Sequence, residues 1–362
     1  MGITAADLFV RKRIGRRVFD PVVERNIVRT LSREELTNNA IKLVELPDGT
    51  ADESSPFVSQ IDSGYVLSET GLLTTQAFEI IEESAAPPEH AQQAMMAMCS
   101  RELFFGYLPI RGLLTGKSSA NLKVLDTVAP LIPRYPTNYY HWMVETVPKV
   151  RYLHEFEAKT GTEVTVLIPS GRPPFIDETL NLLNWPESKI ILSSNPIYKT
   201  QNLVVPSFPE RTAADFDWLH NEILGSISTE DEPTDQRNRN NVYVSRANAI
   251  ERRVLNEEEV MSVLSDYGFE RYCLENRALA ENIRLFNQAD IVVGPHGAGL
   301  TDIIFAEDCT LMELFGEKVK QPYRVLADTL DIEYEPMYCT AESADIVVDT
   351  DELEEQVSAL VE

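Results

Sequence analysis

Ile291 to Leu314 reads IVVGPHGAGLTDIIFAEDCTLMEL, and this stretch decides the fold. A β-branched run, Ile291-Val292-Val293, meets the turn Gly294-Pro295-His296-Gly297-Ala298-Gly299. An apolar segment at helical spacing follows (Leu300, Ile303, Ile304), and then a second buried run, Thr310 to Phe315. Strand, tight loop, helix and strand in that order predict a parallel α/β unit. A helix that opens straight after glycines has free backbone N–H groups and a positive dipole end, which suit a phosphate or diphosphate. His296, a titratable donor between the glycines, sharpens that expectation. The alternative is that the glycines only permit a tight turn. As a dinucleotide fingerprint the loop is poor, because its spacing is not GxGxxG, Pro295 occupies the turn and the loop stands late in its domain. The Gly-Lys-Ser/Thr of a Walker loop is missing as well.

Working outward, the alternation recurs. Val242 to Ser245 and Phe269 to Leu274 read as strands, and Asn256 to Tyr267 and Leu279 to Ala289 as helices; Pro322 to Asp331 and Asp351 to Val361 read as helices beyond the loop. Ser226 to Asn241 has no apolar periodicity and is crowded with polar residues, the mark of a linker. Before it, strands are expected at Leu122 to Val128, Glu163 to Pro169, Lys189 to Leu192 and Asn202 to Pro206. Helices are expected from Asn138 to about Phe156, at Phe175 to Asn184 and at Ala213 to Leu224. Residues 1–119 give weaker signals, among them a short strand at Tyr65 to Leu67, hints of hairpins and a helix at Pro88 to Leu103. The expected organisation is residues 1–119 of uncertain fold attached to an α/β domain over 120–225, a linker at 226–241, a second α/β domain over 242–340 and a terminal helix within 341–362.

With 362 residues, 43% hydrophobic and 25% charged, the chain has the composition of a globular protein able to form two cores. The 58 acidic residues against 32 basic ones give a net charge of −26, and only ten of the basic residues are lysine. An acidic, lysine-poor surface is favoured in a high-salt cytoplasm, where salt screens self-repulsion, so a halophilic source is expected. The same charge argues against nucleic acid as a partner, since there is no basic field to release counterions. Cys99, Cys273, Cys309 and Cys339 lie far apart without zinc spacing, which suits a reduced, cytoplasmic protein. The basic stretch Met1 to Arg17 is either a solvated tail or a peripheral contact with the inner face of an anionic membrane.

Three further constellations carry chemistry. Asn138-Tyr139-Tyr140-His141-Trp142-Met143-Val144-Glu145 places His141 and Glu145 four apart on one helical face, where either could act as a general base. A helical His–Glu pair capping a core edge is the alternative, and as metal ligands the two are too few. Tyr243-Val244-Ser245-Arg246, with Arg252-Arg253 and Asn256-Glu257, sets arginines between a strand and a helix, where they fork onto phosphates or form surface pairs with Glu251 and Glu257. Asp349-Thr350-Asp351 imitates a metal-binding DxD, but it lies close to the end of the chain and reads better as a helix N-cap.

In order, N-x-x-H-W-x-x-E, S-R-x5-R-R-x-x-N-E, V-V-G-P-H-G-A-G-L-T-x-x-x-F and M-E-L-F make the chain resemble glycosyltransferase family 61, over about Asn121 to Cys339. The resemblance implies an α/β, GT-B-like fold, two Rossmann-like domains facing each other across a cleft. It also implies an inverting, metal-independent transferase that needs no cofactor. The donor would be a nucleotide-sugar, UDP-sugar first among candidates; the acceptor would be a glycan, polysaccharide or lipid-linked oligosaccharide. By the motif match, donor binding falls to Arg246, Arg252, Arg253, His296, Gly297, Ala298, Gly299, Leu300 and Glu313, with Glu313 accepting from ribose hydroxyls. Catalysis falls to Glu145 or His141, with Asn138, Tyr140 and Trp142 on the acceptor side. An epimerase or hydrolase of nucleotide-sugars, and a non-catalytic nucleotide-sugar-binding subunit, are the competing expectations.

Overall fold

The computed structural model of the chain describes residues 30–38, 41–42, 55–68, 70–77, 79–84, 122–227 and 240–361. The basic N-terminal stretch, the helix expected at Pro88 to Leu103 and most of the polar linker lie outside the described residues. The chain divides into two units, one taking residues 1–137, 145–172 and 186–210, the other residues 138–144, 173–185 and 211–362.

The first unit is built on a mixed sheet: β1 (Thr30–Leu31), β2 (Ile41–Lys42), β3 (Phe57–Leu67), β4 (Leu72–Thr75), β5 (Ile80–Ile81), β6 (Lys123–Pro130), β7 (Thr165–Pro169), β8 (Ile190–Ser193) and β9 (Ile197–Pro206). Its order is β1-β5-β4-β3-β9-β6-β7-β8, with β2 beside β3. The pairs β9–β6, β6–β7 and β7–β8 are parallel, whereas β3 runs antiparallel to β4 and β9. The short strand expected at Tyr65 to Leu67 is the end of the eleven-residue β3. Its middle, Gln60 to Ser63, is polar and only partly covered, which hid the strand from a hydrophobic pattern. Gly64 is required there: a Cβ would stand 2.6 Å from the Thr74 carbonyl oxygen and 2.8 Å from Leu203 Cδ2. Phe57, Val66, Leu125, Val128, Leu167 and Leu203 form the core of this unit. A capping box at Ser32 and Glu35 starts the short α1 (Arg33–Thr37).

The single helix expected from Asn138 to about Phe156 is two helices, α2 (Tyr139–Glu145) and α3 (Pro148–Thr160). Pro148 explains the break. Inside a continuous helix it would delete a hydrogen bond and clash with the preceding turn at about 3 kcal/mol, whereas at the first position of a new helix it costs nothing. The division between the units falls in α2, between Val144 and Glu145.

The second unit contains β10 (Asn240–Val244), β11 (Phe269–Tyr272), β12 (Ala289–Pro295), β13 (Thr310–Phe315) and β14 (Glu333–Tyr338) in one parallel sheet of order β11-β10-β12-β13-β14. In chain order that is 2-1-3-4-5, a doubly wound sheet that reverses direction between β10 and β12, and such sheets bind ligands outside the carboxyl ends of the strands at the reversal. Its helices are α4 (Pro174–Leu182), α5 (Ala213–Ile227), α6 (Glu257–Asp266), α7 (Leu279–Asn287), α8 (Pro322–Leu330) and α9 (Thr350–Val361). Both faces of the sheet are covered, so its strands read as nearly continuous apolar runs. Tyr243, Ile291, Val293, Met312 and Leu314 pack with Val260 and Leu264 of α6 and Leu353 and Val357 of α9. The edge strand β14 carries Pro336 and β15 (Thr340–Glu342) is short and exposed, so neither announced itself by periodicity; β15 pairs with β16 (Asp345–Val347), where Asp345 and Ile346 are buried, at the strand-like Ile346 to Val348 of the sequence.

Ala298–Phe305 is a 3-10 helix rather than the α-helix its spacing predicts, with Leu300 N donating to Gly297 O and Ala306 N to Ile303 O, both at 3.0 Å. Leu300 to Phe305 are all buried, so no side of this helix faces water. Its hydrogen bonds are poorer than those of an α-helix. The dipole term, worth about 0.3–1 kcal/mol at best, is therefore a weak basis for an anion site here, and the side-chain cations become decisive. Asp349 caps α9, its Oδ1 accepting from Asp351 N at 3.1 Å and Glu352 N at 3.2 Å. Among the described residues no group of three or more His, Cys, Asp or Glu could hold a metal ion. No helix among them is long and apolar enough to cross a membrane.

Candidate functional site

The carboxyl ends of β10 and β12 open onto a cavity of about 280 Å³ lined by Val244, Ser245, Arg246, Asn248, Leu274, Glu275, Pro295, Gly297 and Gly299, among others. It lies at the reversal of the sheet, where fold geometry expects a ligand. Gly297 is occupied from above: a Cβ there would stand 2.0 Å from Nη1 of Arg246, so the guanidinium rests on the loop backbone. Gly299 is close to Leu274 and Val244, at 3.1 and 3.2 Å from where its Cβ would be. These two glycines let the loop and its neighbours meet.

The arginines divide into two groups. Arg246 Nη2 donates to Glu251 O at 3.1 Å and Arg252 Nη2 to Glu251 Oε1 at 3.2 Å, but neither Nε has a partner among the described residues. Burial first, and then the positive charge of Arg252, push the Arg246 pKa down. Glu251 and Glu275 oppose that shift only in part, and since arginine does not lose its proton at ordinary pH, a bound anion would relieve the remaining repulsion. Arg253 is committed elsewhere: its Nε and Nη2 donate to Asp345 Oδ2 at 3.1 and 2.6 Å, and its backbone N to Asp345 Oδ1 at 2.9 Å. It pins the β15–β16 hairpin and is not brought to the cavity. Glu257, a candidate surface partner, instead accepts from Ser245 Oγ at 2.7 Å and Tyr243 OH at 3.2 Å.

His296 is 7% exposed and Glu313 fully buried on β13, in register opposite Gly294. His296 Nδ1 lies 2.5 Å from Glu313 Oε1, and the second carboxylate oxygen accepts from Tyr334 OH at 2.6 Å. Both oxygens of Glu313 are thus engaged, and neither is exposed to the cavity as an open acceptor for a ribose. A carboxylate behind Nδ1 fixes the tautomer and leaves Nε2 as the working nitrogen. The His296 ring stacks on Phe315 at 5.7 Å and tilts against Tyr323 of α8 at 5.4 Å. Leu300 is fully buried and acts by packing.

In the same unit, α2 is tied to this region. Tyr139 OH donates to Asp302 of the 3-10 helix in a short hydrogen bond, and Tyr140 meets Tyr323 edge-on at 5.7 Å and His141 at 5.5 Å. Burial pushes the Asp302 carboxyl up to about 7, against the opposing effect of the Tyr139 bond; burial and then Asp302 raise the Tyr139 phenol. The remaining acceptor-side candidates are Asn138 and Trp142. Asn138 Oδ1 caps α2 by accepting from His141 N at 3.3 Å, and Trp142 is fully buried in the core. Tyr139, Asp302, Tyr323 and Tyr334 are not legible as site residues from pattern, because each looks like an ordinary aromatic or core position.

Glu145 belongs to the first unit. There Lys149 lies close enough to feel its charge and that of Glu83; burial lowers the Lys149 pKa, and the two carboxylates oppose this. The Lys149 ammonium also sits 5.4 Å from the centre of the Phe208 ring. Glu83 in turn has its pKa raised by burial, opposed by Arg33.

Residues 139–312 match the family model Glycosyltransferase 61. The chain is 31% identical over 114 residues to the EGF domain-specific O-linked N-acetylglucosamine transferase of Drosophila melanogaster, a match covering 30% of this chain and 21% of that protein. It is 26% identical over 137 residues to Beta-1,2-xylosyltransferase RCN11 of Oryza sativa subsp. japonica, covering 33% of this chain and 24% of that protein. The matched region thus spans less than a quarter of the length of these curated relatives.

Proposed function

The chain belongs to glycosyltransferase family 61 through residues 139–312, and from that premise we propose that it moves a sugar from a nucleoside diphosphate to a glycan, polysaccharide or lipid-linked oligosaccharide, with inversion and without a metal. UDP-sugars are the first donors to try. The observation that carries this reading is Arg246, its guanidinium resting on Gly297 with an unpartnered Nε at the reversal of a doubly wound sheet, and the charge of Arg252 next to it. A departing diphosphate gathers negative charge as the bond to the anomeric carbon breaks, and preorganised cations stabilise that charge at no cost of reorganisation. In this scheme Arg246 and Arg252 hold the diphosphate and His296 Nε2 donates to it. An acceptor hydroxyl oxygen forms the new bond on the opposite face of the sugar, and its proton passes to Glu145, or to His141 in its place. The two α/β units would work as a GT-B pair. By the printed names, the relatives transfer N-acetylglucosamine and xylose, so both UDP-N-acetylglucosamine and UDP-xylose belong in the first panel.

The test is a thermal-shift series with UDP, GDP, CDP and ADP and their sugars, at high potassium chloride and in the presence of EDTA. A donor at a hundred times its dissociation constant adds about 2.7 kcal/mol of stability. Stabilisation that survives the chelator, followed by glycosyl transfer, supports the reading. Silence toward every nucleoside diphosphate overturns it.

A further inference from the structure

The cavity also has a side on which the nucleoside can lie, and we propose that Glu275 reads the ribose hydroxyls of the bound nucleotide. This inference rests on the donor reading of the same cavity. A diphosphate held by Arg246 over the loop at the ends of β10 and β12 can extend its nucleoside toward β13 or toward β11. Toward β13 stands the His296 ring, with Phe315 and Tyr323 packed against it at 5.7 and 5.4 Å. Glu313, the other carboxylate in that direction, is fully buried with both oxygens taken. Toward β11 the wall is Leu274 and Glu275, both lining the cavity, and the Glu275 side is solvent-exposed.

The turn that presents Glu275 is braced. Asn282 Nδ2 donates to Leu274 O at 3.0 Å, Arg277 Nε donates to Asn282 Oδ1 at 3.1 Å, and the Arg277 guanidinium lies 5.2 Å from the centre of the Tyr272 ring. Leu274, close under Gly299, supplies an apolar face beside the carboxylate. A carboxylate directly after the second strand of a doubly wound unit is well placed for the two vicinal hydroxyls of a ribose, since an ionised carboxyl accepts two hydrogen bonds side by side. Without ligand, Glu275 lies near enough to Arg246 to offset part of its charge. That gives the competing role to be excluded, in which Glu275 is a counter-ion and reads nothing.

The experiment measures dissociation constants of the tightest-binding ribonucleoside diphosphate, its 2′-deoxy and 3′-deoxy forms, and inorganic pyrophosphate, for the full chain and for Glu275→Ala and Glu275→Gln. The wild type prefers the ribose form by roughly tenfold or more, as a hydrogen bond to a charged group would give. Glu275→Ala loses that preference, leaves the deoxy forms unchanged or tighter, and does not weaken pyrophosphate; Glu275→Gln, which keeps one acceptor oxygen, falls between. If Glu275→Ala changes ribose and deoxy forms by the same factor, the residue is only a counter-ion and the proposal is overturned. Binding of nucleotides without any ribose preference in the wild type overturns it too, while leaving the donor reading intact. If neither pyrophosphate nor any nucleotide binds, both fall.

Discussion

His296 and His141 are both histidines beside a motif glutamate, but the structure surrounds them differently. His296 is almost wholly buried, with the Glu313 carboxylate at Nδ1 and Tyr334 behind that carboxylate. His141 is half-buried near the start of a short helix whose other motif residues have structural duties: Asn138 caps, Tyr139 ties down to Asp302 and Trp142 fills the core. The contrast teaches that residue type marks a region, whereas the group standing behind a side chain sets what it can do. A prebuilt carboxylate, itself held by a phenol, makes the His296 imidazole a positioned donor or base.

The sharpest way to break the contrast is Glu313→Gln against His141→Ala. Losing the carboxylate that holds the His296 tautomer is expected to cost 10²–10⁴ in kcat/KM for glycosyl transfer, on the scale of positioned acid–base groups. His141→Ala, with Glu145 intact, is expected to cost less than about tenfold. Circular dichroism and a melting curve on Glu313→Gln separate this from failure to fold. Equal losses from the two changes would void the distinction.

Asp302 gives the next largest effect, and it concerns stability. Burial lifts its folded value to about 7, above the ordinary 3.8, so between those pH values the native chain keeps a proton that the unfolded chain has released. Its contribution is full below about pH 4 and is lost as pH rises through about 7, by at most ~4 kcal/mol at 1.36 kcal/mol per unit. Asp302→Asn still accepts from Tyr139 OH but has no proton to lose. Urea unfolding of both chains from pH 4.5 to 8 should show the variant gaining on the wild type as pH rises. A constant difference would mean that the carboxyl titrates normally.

Within the arginine motif the comparison is between Arg246 and Arg253. Arg246→Ala is expected to weaken UDP binding by roughly 10- to 100-fold, since a hydrogen bond to a charged group contributes ~1.5–3 kcal/mol. Arg253→Ala is expected to leave UDP affinity unchanged and to loosen the β15–β16 hairpin instead, which hydrogen exchange at Ile346 N would report. Titration calorimetry that ranks the two arginines equally would return Arg253 to the donor site.

Much of the second unit was legible because a parallel sheet covered on both faces leaves unbroken β-branched runs such as Ile291-Val292-Val293. The glycine loop and Arg246 were visible for the same reason, as they interrupt those runs. In the first unit β3 was hidden, since its polar middle has no period and its partner β9 is far away in the chain. The 3-10 form of Ala298–Phe305 was also hidden, because apolar spacing fits both helix types. Glu275 was in plain view but lacked a motif. Only the order 2-1-3-4-5, which emerges from pairing and not from the chain, puts it beside the cavity.

The smallest expected effect asks whether Tyr334, Glu313 and His296 act as a unit. Tyr334 OH donates to the oxygen of Glu313 that does not face His296, so removing it leaves the Nδ1 contact intact. A hydrogen bond to a charged group contributes about 1.5–3 kcal/mol, and with the Nδ1 contact intact only part of it bears on the transition state, so Tyr334→Phe should lower kcat/KM by roughly 2- to 10-fold with KM for the donor little changed. Combined with Glu313→Gln it should cost almost nothing more, because the phenol would then have no carboxylate to orient. Additive losses would show that Tyr334 works independently, and the relay behind His296 would shrink to a pair.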